Sequence, residues 1–502
     1  MIAALLIAAV SFRAPEIVPP VRSQTFRADV EVRFGSNQTL TVACDDAKAS
    51  GWVGEHLRLW YGTPPRVASA AGPSANWTFG DEGYRLSVKP EGVMIEAKTL
   101  QGVRYALFTL RQVVERDSSG YTVSGYRLPA CEIEDSPALA FRGLHLCWFP
   151  ELSADYIERQ IRLAALYKFN HVVLESWGVY RSARHPWFGW KEGPMTRERI
   201  ARLVAVARDL GVTLIPQINV FGHASAARSC TGKHAVLEFH PEMQALFEPM
   251  GHWSSGWNWC LSNPEAVRTV RELVVEMHEA FGSPPFFHIG CDEADEPSCA
   301  SCRAVPYAKL VSDHIAGIAD LLKARGARAM MWHDMLLKRG DPRWKGFYAN
   351  GSDETARLPS MLPKDVIICD WYYGNDPGGG KTEKDRTSIT DAYPTLAYFA
   401  KDCGFDTLTC PWEERNGIRA QTKYAREHGL FGVLETVWHH FGGARFPAMV
   451  QVAACGAWGH GERTGNGHFS AAWRWGCWDM GSSDYKESGW YDNQVSRDIL
   501  GR

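Results

Sequence analysis

The sequence predicts a (β/α)8 barrel preceded by a small α/β domain, and three observations predict it. Between about residues 137 and 445, eight short apolar runs alternate with amphipathic helical stretches, the pattern of parallel βα units. Eight such units over roughly 300 residues close into a barrel. No G-x-G-x-x-G turn follows any of the runs, which counts against an open doubly wound sheet.

The small domain is expected over residues 23–136. Ala28 to Phe34 alternates apolar and polar residues as a half-buried strand does, and Tyr84–Val88 and Gly92–Glu96 read as further strands. From Gln101 to Glu115 the period becomes helical, with Val103, Ala106, Leu107, Leu110, Val113 and Val114 on one side. Asp135-Ser136-Pro137 marks the boundary. The barrel runs are Gly143–Trp148, His171–Glu175, Thr213–Asn219, Phe286–Glu293, Ala329–Asp334, Val366–Tyr373, Thr407–Trp412 and Gly432–Trp438. Helices read between them, for example Thr196–Leu210 and Pro264–Phe281. Residues 446–502, rich in Gly, Trp and Asp, form a C-terminal extension of undefined type.

Composition narrows the function classes. The formal net charge is −3, far from the basic footprint of a nucleic-acid binder. No segment has the ~18 uninterrupted apolar residues of a membrane span. Residues 1–22 resemble a leader: Ile2–Val10 has the length of a clipped signal-peptide core. No Lys or Arg precedes it, and Ser11-Phe12-Arg13-Ala14 is a poor cleavage site, so secreted or periplasmic and cytoplasmic locations both stay open. The 20 Trp suit a sugar site, because an indole offers a flat apolar face and one donor. The 13 Cys lack the spacing of a disulfide framework. Only Cys299-Ala-Ser-Cys302 has a ligand-like interval, leaving a disulfide or a local site open there.

Active sites of such barrels lie at the C-terminal strand ends, and these ends are polar or aromatic. They carry Arg142, His145 and Trp148 around strand one, then Glu175 and Trp177, then Gln217, Asn219 and His223. Asp292 and Glu293 close strand four. Trp332, His333 and Asp334 end strand five, and Asp370, Trp371, Tyr372 and Tyr373 end strand six. Trp412, Glu413 and Glu414 follow strand seven; Glu435, Trp438, His439 and His440 end strand eight. The sharpest piece is Phe286-Phe-His-Ile-Gly-Cys-Asp-Glu293, an apolar strand running into two adjacent carboxylates. Neighbours on a strand point to opposite faces, but where the chain turns both can reach one site. The longer Glu suits a proton donor and the shorter Asp a fixed acceptor, and two acids sharing a site push their pKa values apart.

His288-Ile-Gly-Cys-Asp-Glu293 resembles the H-x-G-x-D-E signature of glycoside hydrolase family 20, the β-N-acetylhexosaminidases. Gly102–Val113 is similar to the helix of that family's small domain, Phe141-Arg-Gly-Leu144 to its first barrel strand, and Trp332-His-Asp-Met335 to its W-x-D-M. The likeness spans roughly residues 80 to 440. Where many members have E-I-D-x-P-G-H, this chain has Gln217-Ile-Asn-Val-Phe-Gly-His223, similar to the hexosaminidase D-like branch. That branch acts on terminal β-N-acetylgalactosamine as well as its glucosamine epimer, so the preferred epimer stays open.

The resemblance implies substrate-assisted retention, an exception to two-carboxylate glycosidase chemistry. The 2-acetamido oxygen attacks the anomeric carbon. Glu293 protonates the leaving oxygen and later deprotonates water, while Asp292 accepts the acetamido N–H and stabilises the oxazolinium. Tyr373 or Tyr372 donates to the acetamido oxygen; the sequence does not separate them. Trp332, Trp371, Trp412 and Trp438 wall the acetamido methyl, Arg142 grips hydroxyls, His223 supports the pair, and Asp334 and Glu435 complete the substrate contacts. The implied partner is a terminal β-linked N-acetylhexosamine, with no cofactor and no metal. A metal-dependent hydrolase using His223, His288, Cys291, Asp292, Cys299 and Cys302 is the rival enzyme class, weakened because only one C-x-x-C is present. A non-catalytic carbohydrate-binding barrel is the other rival.

Overall fold

A computed structural model describes residues 15–61, 63–119, 122–149, 152–189, 193–225, 236–250, 256–374, 392–438 and 446–461. Most of the expected leader, residues 462–502 of the C-terminal extension, and His439 and His440 lie outside them. The chain divides into two compact units.

The first unit comprises residues up to Ala138 together with Leu166–Lys168 and a segment from Ala454. Its strands are β1 (Ser23–Arg33), β2 (Thr39–Cys44), β3 (Arg66–Ala70), β4 (Tyr84–Lys89), β5 (Gly92–Ala97), β6 (Glu115–Ser119) and β7 (Thr122–Asp135). The sheet order is β1-β7-β4-β5-β2-β3, with β6 pairing β7. β2 runs parallel to β3 and β5, and the remaining pairs are antiparallel. Helices Ala49–Trp60 and Leu100–Val113 are amphipathic; the second is capped by the Thr99 hydroxyl, which accepts the Gly102 N–H. The sequence predicts no strand at β2, β3, β6 or β7; in β2 an alternation is present, with Leu40 and Val42 buried between the half-buried Thr39 and Thr41.

The second unit is the barrel, β8 (Phe141–Trp148), β9 (His171–Ser176), β10 (Thr213–Gln217), β11 (Phe286–His288), β12 (Arg328–Trp332), β13 (Ile367–Trp371), β14 (Thr407–Cys410) and β15 (Gly432–Glu435). All eight run parallel in sequence order, and β15 pairs β8 to close the cylinder. β8, β13, β14 and β15 are buried throughout, as a parallel sheet wrapped in helices requires. Phe141, Val173, Ile215, Met330, Ile367, Leu408 and Leu434 fill the interior with Trp332 and Trp371. The crossover helices start where capping chemistry directs. Thr196 accepts the Arg199 N–H, and Asn263 accepts the Glu265 N–H ahead of Pro264 at the first helical position.

Most barrel strands end two or more residues before the expected runs do, and β11 is cut shortest. β11 ends at His288, five residues before Glu293, because Gly290 (φ 68°) and Cys291 (φ 79°) leave the extended region. That turn is what brings two adjacent carboxylates to one side. Among the described residues, no helix is long and apolar enough to cross a membrane.

Candidate active site

The turn after β11 admits little besides its own sequence. A Cβ on Gly290 would lie 1.8 Å from Asn219 Oδ1, and one on Gly222 would lie 2.2 Å from the Asp292 carbonyl oxygen. Glu293 (φ 47°) and His223 (φ 51°) also occupy the left-handed region, uncommon for residues with a Cβ and concentrated at functional sites. The strain is held by hydrogen bonds. The Glu293 N–H donates to Asp334 Oδ2 (3.0 Å), and Trp257 Nε1 donates to the Glu293 carbonyl (2.7 Å).

His223 ties the two acids together. Its Nε2 lies 3.3 Å from Asp292 Oδ2 and 3.4 Å from Glu293 Oε2. Burial works against a charged imidazole, yet the adjacent carboxylates outweigh it and raise the His223 pKa to about 10. The ring is therefore cationic at neutral pH and neutralises part of the local negative charge. Burial pushes Asp292 up, and His223 pulls it partly back. The Asp292 side chain is 10 % exposed and that of Glu293 39 %, so the first is enclosed and the second faces solvent.

Around this pair the barrel gathers further buried acids. Asp334 is fully buried, and desolvation and the Asp292 charge raise its pKa to about 7. Its Oδ2 also accepts the Asn350 side-chain amide at 2.8 Å. Glu175 Oε2 contacts His145 Nε2 at 2.9 Å, and Glu175 Oε1 accepts the Asn219 amide at 3.1 Å. Burial alone would raise Glu175, but these contacts bring it below the ordinary carboxylate value. Glu435 is completely buried and lifted well above that value by desolvation. Both its oxygens, together with Asp292 Oδ1, Trp332 Nε1 and Trp371 Nε1, have no hydrogen-bond partner among the described residues. Buried polar atoms are normally paired, so this convergence of donors and acceptors is what a polar ligand would satisfy.

The opposite wall is aromatic. Tyr373 stacks on Trp371 (5.2 Å between centroids) and meets Trp412 edge-on (5.0 Å). Its hydroxyl accepts the Trp438 indole N–H at 2.6 Å. Trp438 in turn packs on Trp332 (5.4 Å) and His145 (4.8 Å). Tyr348, from the loop after β12, covers Trp371 at 4.1 Å and approaches Tyr373 at 5.4 Å. Nothing in the sequence marks Tyr348, because that loop has neither periodicity nor motif. His333 braces this wall: its Nδ1 accepts the Trp371 N–H and its Nε2 donates to the Tyr348 carbonyl. Burial lowers the His333 pKa to about 3, so the ring is neutral, as that pair of bonds requires.

Two expected residues are not brought into this cluster. Arg142 lies second in β8, at its N-terminal end, and its guanidinium donates to the Leu139 and Ala140 carbonyls. At about 3.3 Å per residue it stands roughly 20 Å from the C-terminal strand end, so it closes the barrel bottom rather than gripping a sugar. Tyr372 points away from Tyr373 and packs on Phe347 (4.7 Å) and Tyr393 (6.0 Å), as alternation along a strand demands. Tyr373 is the tyrosine that faces the aromatic wall.

The lone C-x-x-C acquires company that the sequence does not reveal. Cys260, from the loop after β10, and Glu248 join Cys299 and Cys302 within 4.8 Å of one another. All three cysteines are free thiols.

A sequence profile for glycosyl hydrolase family 20, domain 2, matches residues 14–136, and the profile for the glycosyl hydrolase family 20 catalytic domain matches residues 152–427. A β-hexosaminidase of Porphyromonas gingivalis is 25 % identical over 361 residues, covering 63 % of this chain and 45 % of that protein. A β-hexosaminidase of Vibrio furnissii is 26 % identical over 376 residues, covering 66 % of this chain and 59 % of that protein. The chain thus spans about half the length of these curated relatives. Among solved structures, the exo-β-N-acetylglucosaminidase of Vibrio harveyi superposes with a TM-score of 0.66 at 16 % identity, covering 93 % of this chain and 78 % of that one.

Proposed function

The chain belongs to glycosyl hydrolase family 20, and on that premise we propose that it is a retaining exo-β-N-acetylhexosaminidase working by acetamido participation. It removes a terminal β-linked N-acetylgalactosamine or N-acetylglucosamine from a glycan. The observation that carries this reading is the enclosed Asp292 beside the solvent-facing Glu293, both on one cationic His223.

The chemistry follows from that asymmetry. Glu293 donates its proton to the glycosidic oxygen as the acetamido carbonyl oxygen attacks the anomeric carbon and the aglycone leaves. Asp292 accepts the acetamido N–H, which raises the nucleophilicity of the carbonyl oxygen and offsets the positive charge of the oxazolinium. Water then attacks the anomeric carbon from the face the aglycone left, and the Glu293 carboxylate takes its proton. Two inversions leave the β configuration unchanged. Tyr373 is the donor to the acetamido oxygen: it already accepts the Trp438 N–H, so its own O–H is turned outward. Trp332, Trp371, Trp412 and Trp438 supply the apolar wall for the acetamido methyl. Asp334 acts mainly by holding the Glu293 backbone, and the buried Glu435, both of whose oxygens lack a hydrogen-bond partner among the described residues, meets a sugar hydroxyl.

Hydrolysis of 4-nitrophenyl β-N-acetylglucosaminide and of its galactosaminide, measured side by side, tests the reading and ranks the epimers. A thiazoline analogue of the intermediate should inhibit tightly. Turnover of neither substrate, with the sugars still bound, would turn the assignment to a carbohydrate-binding barrel.

A further inference from the structure

The four residues Glu248, Cys260, Cys299 and Cys302 lie in the barrel unit, apart from the carboxylates described above. Glu248, Cys260 and Cys302 are buried, at 3 %, 7 % and 1 % exposure. Cys260 Sγ lies 3.7 Å from Cys299 Sγ and 3.7 Å from Cys302 Sγ. A tetrahedral zinc ion with Zn–S bonds of about 2.3 Å holds its sulfurs about 3.75 Å apart. A disulfide would bring one pair to about 2.05 Å and leave the third sulfur outside it.

Backbone N–H groups already point at the sulfurs. The Cys302 N–H donates to Cys299 Sγ (3.3 Å), and the Ser262 N–H donates to Cys302 Sγ (3.4 Å). Such N–H···S bonds are the second layer that orients and stabilises metal-bound sulfur. The Glu248 carboxylate is fixed beside the sulfurs by the N–H groups of Ser298 (2.8 Å) and Cys299 (2.7 Å) and by the Ser298 hydroxyl (3.0 Å). Two paired motifs are the usual signature of a zinc site; here the fold provides one pair and two single ligands from a separate loop.

We propose that Cys260, Cys299, Cys302 and Glu248 form a closed structural zinc site that clamps the loop after β10 to the loop carrying Glu293. Three thiolates and one carboxylate complete a tetrahedron, so no coordination position remains for water or substrate. The clamp acts on the catalytic loop through short links. Within the Cys260 loop, Trp257 Nε1 donates to the Glu293 carbonyl, the Asn258 amide donates to the Asp295 carbonyl (2.6 Å), and Asn258 Oδ1 accepts the Asp295 N–H (3.2 Å). The ion thus secures the backbone on which the left-handed Glu293 depends.

The test uses the full chain, expressed with zinc and purified without chelator. Elemental analysis should find one zinc per chain, and an organomercurial that blocks thiols should release it in step with the loss of three thiols. Cobalt grown in its place should show thiolate-to-metal charge-transfer absorption. Cys260→Ser with Cys299→Ser should lose the metal, whereas Cys403→Ser, remote from the cluster in sequence, should keep it. A metal-free wild-type protein, a disulfide among the three cysteines, or zinc retained by the double variant would overturn the proposal. The mercurial release on wild type decides the matter even where the double variant fails to fold.

Discussion

Two buried charge clusters, one in each unit, differ in a way that separates structure from function. In the first unit, Lys168 and Asp135 are both completely enclosed and 2.8 Å apart. Every acceptor site there is used. Asp135 Oδ2 also accepts the Tyr84 hydroxyl, and Asp135 Oδ1 accepts the Trp458 indole N–H and the N–H groups of Arg22 and Ser136. Lys168 Nζ reaches the Tyr84 oxygen as well. In the barrel unit, His223 is flanked by Asp292 and Glu293, yet Asp292 Oδ1, His223 Nδ1 and both Glu435 oxygens have no hydrogen-bond partner among the described residues. A satisfied network rigidifies. An unsatisfied one carries a desolvation cost that persists only where a ligand offsets it.

The sharpest way to break this contrast is Glu293→Gln. The amide keeps the shape and removes the transferable proton, so kcat should fall about 10²–10⁴-fold, the range general acid–base catalysis supplies, with the melting temperature nearly unchanged. Activated aryl leaving groups, which need less protonation, should show the smaller losses. Wild-type turnover by this variant would remove Glu293 from the chemistry. Asp292→Asn belongs with it, and should impair the acetamido-dependent step while sparing the fold.

Lys168→Met applies the same logic to the satisfied cluster and should do the reverse. Removing one partner leaves the Asp135 carboxylate buried without its counter-ion, which costs about 3–5 kcal/mol of stability. Equilibrium denaturation should register that loss, while kcat/KM of the remaining folded enzyme stays at the wild-type value. A variant as stable as wild type would mean the pair is not a structural element.

Tyr373→Phe and Tyr372→Phe sharpen the comparison within one dipeptide. Loss of one preorganised donor to a developing charge typically costs about 10²–10³ in kcat, so Tyr373→Phe should lose that much and Tyr372→Phe should stay close to wild type. Equal effects would contradict the separation of the two rings across the strand.

The same dipeptide shows where sequence reasoning stops. Barrel strands and the Asp292-Glu293 pair are legible because apolar runs must bury both faces and because strand ends of such barrels carry the chemistry. Which of two adjacent tyrosines faces inward depends on a one-residue register that no apolar run at the strand end specifies. Arg142 is legible on different grounds: it precedes the apolar run Gly143–Trp148, which sets it at the N-terminal end of the strand, and its pairing with Val433 near the start of β15 agrees. Cys260 and Glu248 were invisible as partners of Cys299 and Cys302 because they come from a loop tens of residues upstream, and loops have no period to read.

A pH-dependent effect concerns Asp370, a buried acid at the end of β13 with one oxygen lacking a partner among the described residues. Desolvation raises its pKa to about 8, partly countered by Thr395, against about 3.9 in an unfolded chain. A carboxyl whose pKa rises on folding is held best when neutral. Its contribution is complete below about pH 4 and is lost progressively as the pH climbs through about 8. Asp370→Asn cannot ionise, so its melting temperature should decline less than that of wild type between pH 5 and pH 9. The two curves should converge or cross toward the alkaline end. Parallel curves over that range would mean that Asp370 keeps its charge in the folded state, with a counter-ion that the neutral His333 beside it does not provide.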